Sequence, residues 1–205
     1  MSAGLCMSLQ AEWQYILRTV PGSGALMGPV EKAIREDFIP NLFGEPGCYV
    51  TDEERELYGL SVRFAGLGLP NPVTQGAECL KTSVSCCKLL TASIKSGRHL
   101  VYAEHKTHAK VARTVAQKAR ADAQNVKVHG WIDDEERRVM ERHRLVQGKK
   151  AGAWLTCIPN SLNGTELSYE EFQDNLRLRF GFEPLNLPEK CDGCGEKFTV
   201  EHALS

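Results

Sequence analysis

Cys191-Asp-Gly-Cys194-Gly, followed after seven residues by His202, fixes the geometry of the last fifteen residues more tightly than any other stretch of the sequence. Two thiolates separated by two residues can clasp one tetrahedral ion from a tight turn, and Gly193 and Gly195 give that turn its backbone freedom. A correctly placed histidine turns the pair into a zinc pattern, so Cys191, Cys194 and His202 are expected to bind Zn2+ as three of four ligands. The fourth is Cys157, a water, another chain, or a cysteine beyond this polypeptide. Two bland alternatives remain: a surface CxxC with no ion, and a CxxC dithiol acting in redox chemistry.

The other six cysteines (Cys6, Cys48, Cys79, Cys86, Cys87, Cys157) lie scattered among apolar residues and read as small buried hydrophobes, not as a disulfide framework. No apolar run approaches the length of a membrane helix, and Met1 to Val20 lacks the basic start and apolar stretch of an export signal. The expected location is therefore intracellular, nuclear or cytoplasmic, without secretion. At 205 residues, 42% hydrophobic and 25% charged, the chain has enough apolar content for a sizeable core. Its net charge of −1 hides a partition: residues 61–150 carry +9 and the segments on either side −5 each. A basic centre between acidic ends suits either a polyanion groove or ends that dock on the middle.

Taken in order, apolar periodicity predicts a first helix over residues 5–20 with Leu5, Leu9, Trp13, Ile16, Leu17 and Val20 on one face. A second starts at Pro29, with Val30, Ala33, Ile34 and Phe38 inward, and is expected to break at Pro40. Thr51 with Glu54 forms a capping box for a third. Leu60 to Pro72 holds too many glycines for a helix and too much apolar character for a free linker, which predicts a buried, close-packed turn. Asn71 and Pro72 open the next helix, expected to run to Gly97. A long helix is predicted over Arg98 to Lys127, with Val101, His105, Ala112, Val115, Ala119 and Val126 inward. Its other faces carry Arg98, Lys106, Lys110, Arg113, Lys118, Arg120 and Lys127 against only Glu104 and Asp122. His99, His105 and His108 mark no third ligand on a separate element and are not assigned a metal. The acids of Trp131-Ile-Asp133-Asp134-Glu-Glu136 read as first-turn residues of a further helix through Leu145. Gly148-Lys-Lys-Ala-Gly152 is the expected linker. Beyond it come a short strand over 153–159, a turn at Asn163-Gly164, and a helix capped by Ser168 with Glu171.

Several of these residues, in this order, resemble the region after the polymerase palm in reverse transcriptases of non-LTR retrotransposons. Trp13, Pro29 to Ile34, Arg63, Gly66 to Gly68 and Asn71-Pro72 match a tryptophan-bearing helix, a second helix, an arginine with a Gly-Gly-Leu-Gly run, and an Asn-Pro. Ala65 stands where the family usually has the first glycine. The stretch Trp154-Leu155, the Leu-Arg-x-Arg end of a helix at Leu176 to Arg179, and the Cys-Cys-His motif again resemble these proteins, where they precede a CCHC zinc motif.

The resemblance implies a mainly α fold: a helical bundle over residues 1–147 resembling a polymerase thumb and its extension, the linker 148–152, and a small α+β zinc-knuckle-like module over 153–205. It further implies a nucleic-acid-binding part, for RNA or DNA, with the polymerase palm before Met1, the endonuclease after Ser205, and the chain itself no enzyme. No Ser/His/Asp constellation, phosphate loop or nucleotide fingerprint supplies a catalytic centre. Arg98, Lys106, Lys110, Arg113, Lys118 and Arg120 are the expected phosphate contacts, and Arg63 is expected to support the glycine-rich turn. The competing reading is a protein-interaction or inert remnant of a decayed element.

Overall fold

The computed structural model describes residues 10–132 and 152–204, so Leu5, Cys6, Leu9, the acids from Asp133 and the linker up to residue 151 lie outside the described residues. It is mainly helical: α1 (Gln10–Thr19), α2 (Gly28–Ala33), α3 (Ile39–Leu42), α4 (Asp52–Gly59), α5 (Pro72–Cys86), α6 (Lys88–Ser96), α7 (Tyr102–Ile132), α8 (Ala153–Thr156), α9 (Tyr169–Arg179) and α10 (Val200–Leu204). Among the described residues, β pairing is limited to one isolated antiparallel bridge between Lys190 and Lys197. None of the described helices is long and apolar enough to cross a membrane.

Local signals place the starts of α4, α5 and α9. Thr51 and Ser168 form complete capping boxes with Glu54 and Glu171, and Asn71 Oδ1 accepts from the Val73 amide at 2.8 Å ahead of Pro72. Pro40, however, does not end its helix. A π-helical turn over Ile34–Phe38 precedes it, with the Ile39 amide donating to the Ile34 carbonyl, and α3 continues through the proline to Leu42. The wider turn makes room for a ring that would otherwise crowd the preceding turn and removes the need for its missing N–H. The single helix expected from Asn71 to Gly97 is split at Cys87 (φ −90°, ψ 3°). It fails where Thr82-Ser-Val-Ser-Cys-Cys87 combines hydroxyl and β-branched residues of weak helix propensity.

α5 forms the centre of the N-terminal half, with α1 packed along one side and α7 along the other. In α1, Leu17 is fully buried and Trp13 packs on the core, but Ile16 and Val20, expected inward, are exposed. The long helix also faces differently from the expected register. Ala109, Val128 and Trp131 are buried, while Val101, Val115 and Val126 are 51%, 62% and 73% exposed. The valine periodicity misleads because α5 approaches α7 on small side chains: Cys86 Sγ reaches the Ala109 carbonyl at 3.6 Å. An alanine stripe permits that approach and a valine stripe does not.

The main core gathers Ile39, Phe43, Leu57, Tyr58, Leu67, Val128, Trp131, Leu155, Leu176 and Phe180. Phe43 is its hub, with ring centroids 5.3 Å from Tyr58, 5.4 Å from Phe180 and 5.7 Å from Phe182. The two Phe43–Phe pairs are edge-on and the Tyr58 ring is tilted by 36°; aromatic pairs of this kind contribute about 0.5–1.5 kcal/mol each beyond area burial. This core crosses the boundary expected at residues 148–152, because Leu155, Leu176 and Phe180 fill it from the far side. Arg177 adds to the tie, donating from Nη1 to the Phe43 carbonyl (2.9 Å) and to Glu45 (2.6 Å). Residues 153–156, expected as strand, are the helical turn α8, which lays Trp154 edge-on to Phe172 at 5.5 Å and sends Leu155 into the core.

The turn between α4 and α5 is buried, with Leu60, Ala65, Leu67 and Leu69 all 3–4% exposed. Gly66 is required by space: a Cβ there would lie 2.0 Å from the Leu60 carbonyl oxygen. Ala65 has φ 65°, the only positive φ of a non-glycine among the described residues, and so adopts a left-handed conformation that glycine takes without strain. Arg63, expected to support this turn, instead points outward, its guanidinium over the Phe64 ring. That task falls to Arg55, 4% exposed, which forks onto Glu31 with two 2.7 Å bonds and donates to the Leu69 carbonyl at 2.7 Å. Such a bidentate, buried charge pair holds the turn only because both partners' lone pairs and protons are used.

Candidate metal centre and basic helix

The C-terminal group is built from a tight reversal and one short helix. The Cys191 amide donates to the Glu196 carbonyl (2.8 Å) and the Gly195 amide to the Cys191 carbonyl (2.9 Å), closing a loop around the two thiols. Gly195 takes φ 79°, a conformation that glycine adopts without strain. The Phe198 amide returns to the Glu189 carbonyl at 3.1 Å, and Thr199 Oγ1 then accepts from the His202 amide at the start of α10. These bonds place Cys194 Sγ 3.2 Å from His202 Nε2, and the ligand atoms of Cys191, Cys194 and His202 all lie within 4.8 Å of one another.

Tetrahedral zinc bound at about 2.3 Å to sulfur and 2.0 Å to nitrogen needs its donors a little under 4 Å apart, so this group can hold a metal ion. The electrostatics suit a cation as well. Backbone N–H groups of Cys194 and Gly193 point at Cys191 and, with His202, pull its thiol well below the ordinary thiol value, to about 6, so the ligand-competent thiolate is favoured. Cys157, the internal candidate for a fourth ligand, is not part of the group; its thiol lies 3.4 Å from the Ala153 carbonyl.

The six predicted phosphate contacts do not share one fate. Lys106, Lys110 and Arg113 lie on α7 within an arc that also contains Arg120, about 80° wide at 100° per residue, and Lys118 falls about 80° beyond its edge. Arg98 precedes the helix, where its carbonyl accepts from Ser93 Oγ at 2.6 Å. Arg98, Lys106, Lys110, Arg113 and Lys118 are exposed and form no ion pair with any described residue, whereas Arg120 Nε lies 3.1 Å from Glu78 and Lys127 Nζ 2.8 Å from Glu56. Arg18 of α1, which sequence reasoning passed over, lines a cleft together with Arg113 and Arg120. Its approach depends on how α1 and α7 flank α5, and no local signal in the sequence marks it.

No protein-family model matches this chain, and neither a curated protein nor a solved structure matches it.

Proposed function

We propose that the protein binds nucleic acid along α7, as part of a reverse-transcriptase-like retroelement protein, and that zinc is the ion taken by Cys191, Cys194 and His202. The observation that carries this reading is the exposed strip of Lys106, Lys110 and Arg113, without an ionic partner among the described residues. A solvated structural face usually spaces acids among its bases; here only Glu104 and Asp122 accompany seven basic residues from Arg98 to Lys127. The left-handed Ala65 supports the family resemblance, because it places a glycine-like conformation where that pattern has glycine.

Binding of duplex or structured RNA, followed by fluorescence anisotropy from 50 to 300 mM salt, tests the reading. Three to five phosphate contacts give a slope of log K against log salt between about −3 and −5, and replacing Lys106, Lys110 and Arg113 with glutamine removes about 3 of it. No binding at low salt, or a slope that the triple variant leaves unchanged, rejects it. Exposed Val111, Val115 and Val126 on the same helix favour a second reading, a protein-interaction face. Salt-insensitive self-association in sedimentation experiments is its signature, and a monomer at all concentrations excludes that form of it.

A further inference from the structure

Arg18 from α1 and Arg113 and Arg120 from α7 line opposite walls of a cleft of about 330 Å³ floored by Cys79, Thr82 and Ser83 of α5. Among the described residues no carboxylate lines this cleft. Among the described residues, Arg18 donates only to the neutral Gln14 amide oxygen, at 3.0 Å, and Arg113 has no ionic partner. Arg120 is paired with Glu78. Around one opening, three guanidiniums stand against one nearby carboxylate among the described residues. The Cys79 thiol reports their convergence: burial pushes it up, while Arg120 and Arg18 both pull against that rise, which places guanidiniums from two helices within electrostatic reach of one floor atom.

The chemistry selects an oxyanion. A carboxylate offers two oxygens in one plane and is satisfied by one guanidinium fork, whereas a tetrahedral phosphate presents acceptors to forks arriving from different directions. Arg113 also belongs to the exposed strip of α7, about 4.5 Å along the axis from Lys110 and about 10 Å from Lys106, so the mouth of the cleft opens beside the path assigned to the strand.

We propose that this cleft is a phosphate subsite on the nucleic-acid path, in which Arg18 clamps from the opposite wall a backbone phosphate that Arg113 and Arg120 hold. The assignment rests on the reading of α7 as the nucleic-acid-binding helix, and adds to it a residue on a separate element. Arg18 is exposed on a helix surface while its neighbour Leu17 is buried, so Arg18→Gln leaves the core packing of α1 intact.

The test uses the full chain, Arg18→Gln and Arg18→Lys, with unchanged thermal melting as the folding control. Labelled single-stranded and duplex oligonucleotides are titrated over a range of salt. Arg18→Gln is expected to weaken binding about five- to tenfold and to reduce the salt slope by about 1, while Arg18→Lys restores the slope but only part of the affinity. If the unaltered chain binds with a steep salt slope and Arg18→Gln binds identically, the subsite is overturned and the reading of α7 stands. If the unaltered chain binds no oligonucleotide, the reading of α7 fails, and calorimetry with pyrophosphate decides the cleft. Pyrophosphate binding lost in Arg18→Gln keeps it as a subsite for free phosphates, and absent or Arg18-independent binding overturns it.

Discussion

Substituting Gly66 by alanine tests the packing of the turn that joins α4 to the α5–α7 layer. A Cβ at this position would lie 2.0 Å from the Leu60 carbonyl oxygen, 2.5 Å from the Leu60 carbonyl carbon and 2.7 Å from the Leu57 carbonyl oxygen. All three are backbone atoms, so no side chain can swing aside, and the Gly68 amide bond to the Leu60 carbonyl (2.8 Å) must move with the shift. Overpacking in a close-packed interior costs about 1–3 kcal/mol when side chains absorb it, and an obstruction of backbone belongs at or above the top of that range. For a chain of this length about 3 kcal/mol lowers the melting temperature by roughly 6–12 °C. Differential scanning calorimetry of Gly66→Ala reads the shift directly. Ala65→Gly is the control: relief of about 1–2 kcal/mol of left-handed strain is set against a more flexible unfolded chain and a lost buried methyl, each about 0.5–1 kcal/mol, leaving a net change within about 1 kcal/mol. A Gly66→Ala protein that melts within 2 °C of the unaltered chain would refute the described turn.

Leu176→Ala removes a fully buried side chain from the core shared by α9 and the N-terminal helices; a loss of about 3–5 kcal/mol in one cooperative urea transition is expected, and two separate transitions would show that residues 153–182 fold apart from the bundle. The metal-free Cys191 thiol, held at about 6 chiefly by the Cys194 and Gly193 amides, stabilises the folded state above the unfolded thiol value, and this contribution is lost as pH falls through about 6. Its alkylation by iodoacetamide, followed by mass spectrometry, is accordingly half-maximal near pH 6 in the folded chain and near about 8.5 in urea; coincident profiles would contradict the closed loop. Added zinc protects Cys191 and Cys194 together, at one ion per chain, and protection without bound metal would instead indicate a disulfide.

The parts of this fold that the sequence announced are those governed by neighbours a few residues away. Thr51 with Glu54, Ser168 with Glu171, Asn71 with Pro72 and Gly97 each act within one helical turn, and each stands where it was expected. The Cys191, Cys194 and His202 group was legible for the same reason, since a single loop and one short helix bring its donors together. What escaped depends on partners distant in sequence. The inward face of α7 follows from how closely α5 approaches, and the buried roles of Arg55 and Arg177 from carbonyls of Leu69 and Phe43. Valine spacing gave the wrong face of α7 because periodicity identifies an apolar side without saying whether the neighbour needs bulk or proximity there.

Lysine footprinting tests nucleic-acid binding along α7 directly. The full chain, with and without a saturating duplex oligonucleotide at low salt, is acetylated briefly and each lysine's modification is read by mass spectrometry. Protection of Lys106 and Lys110 on α7 is expected, with Lys32, 71% exposed on α2, and Lys197, beside the Cys191–Cys194 loop, modified at unchanged rates. Equal modification of Lys106 and Lys110 in the free and bound protein, or protection confined to Lys32 and Lys197, would contradict it.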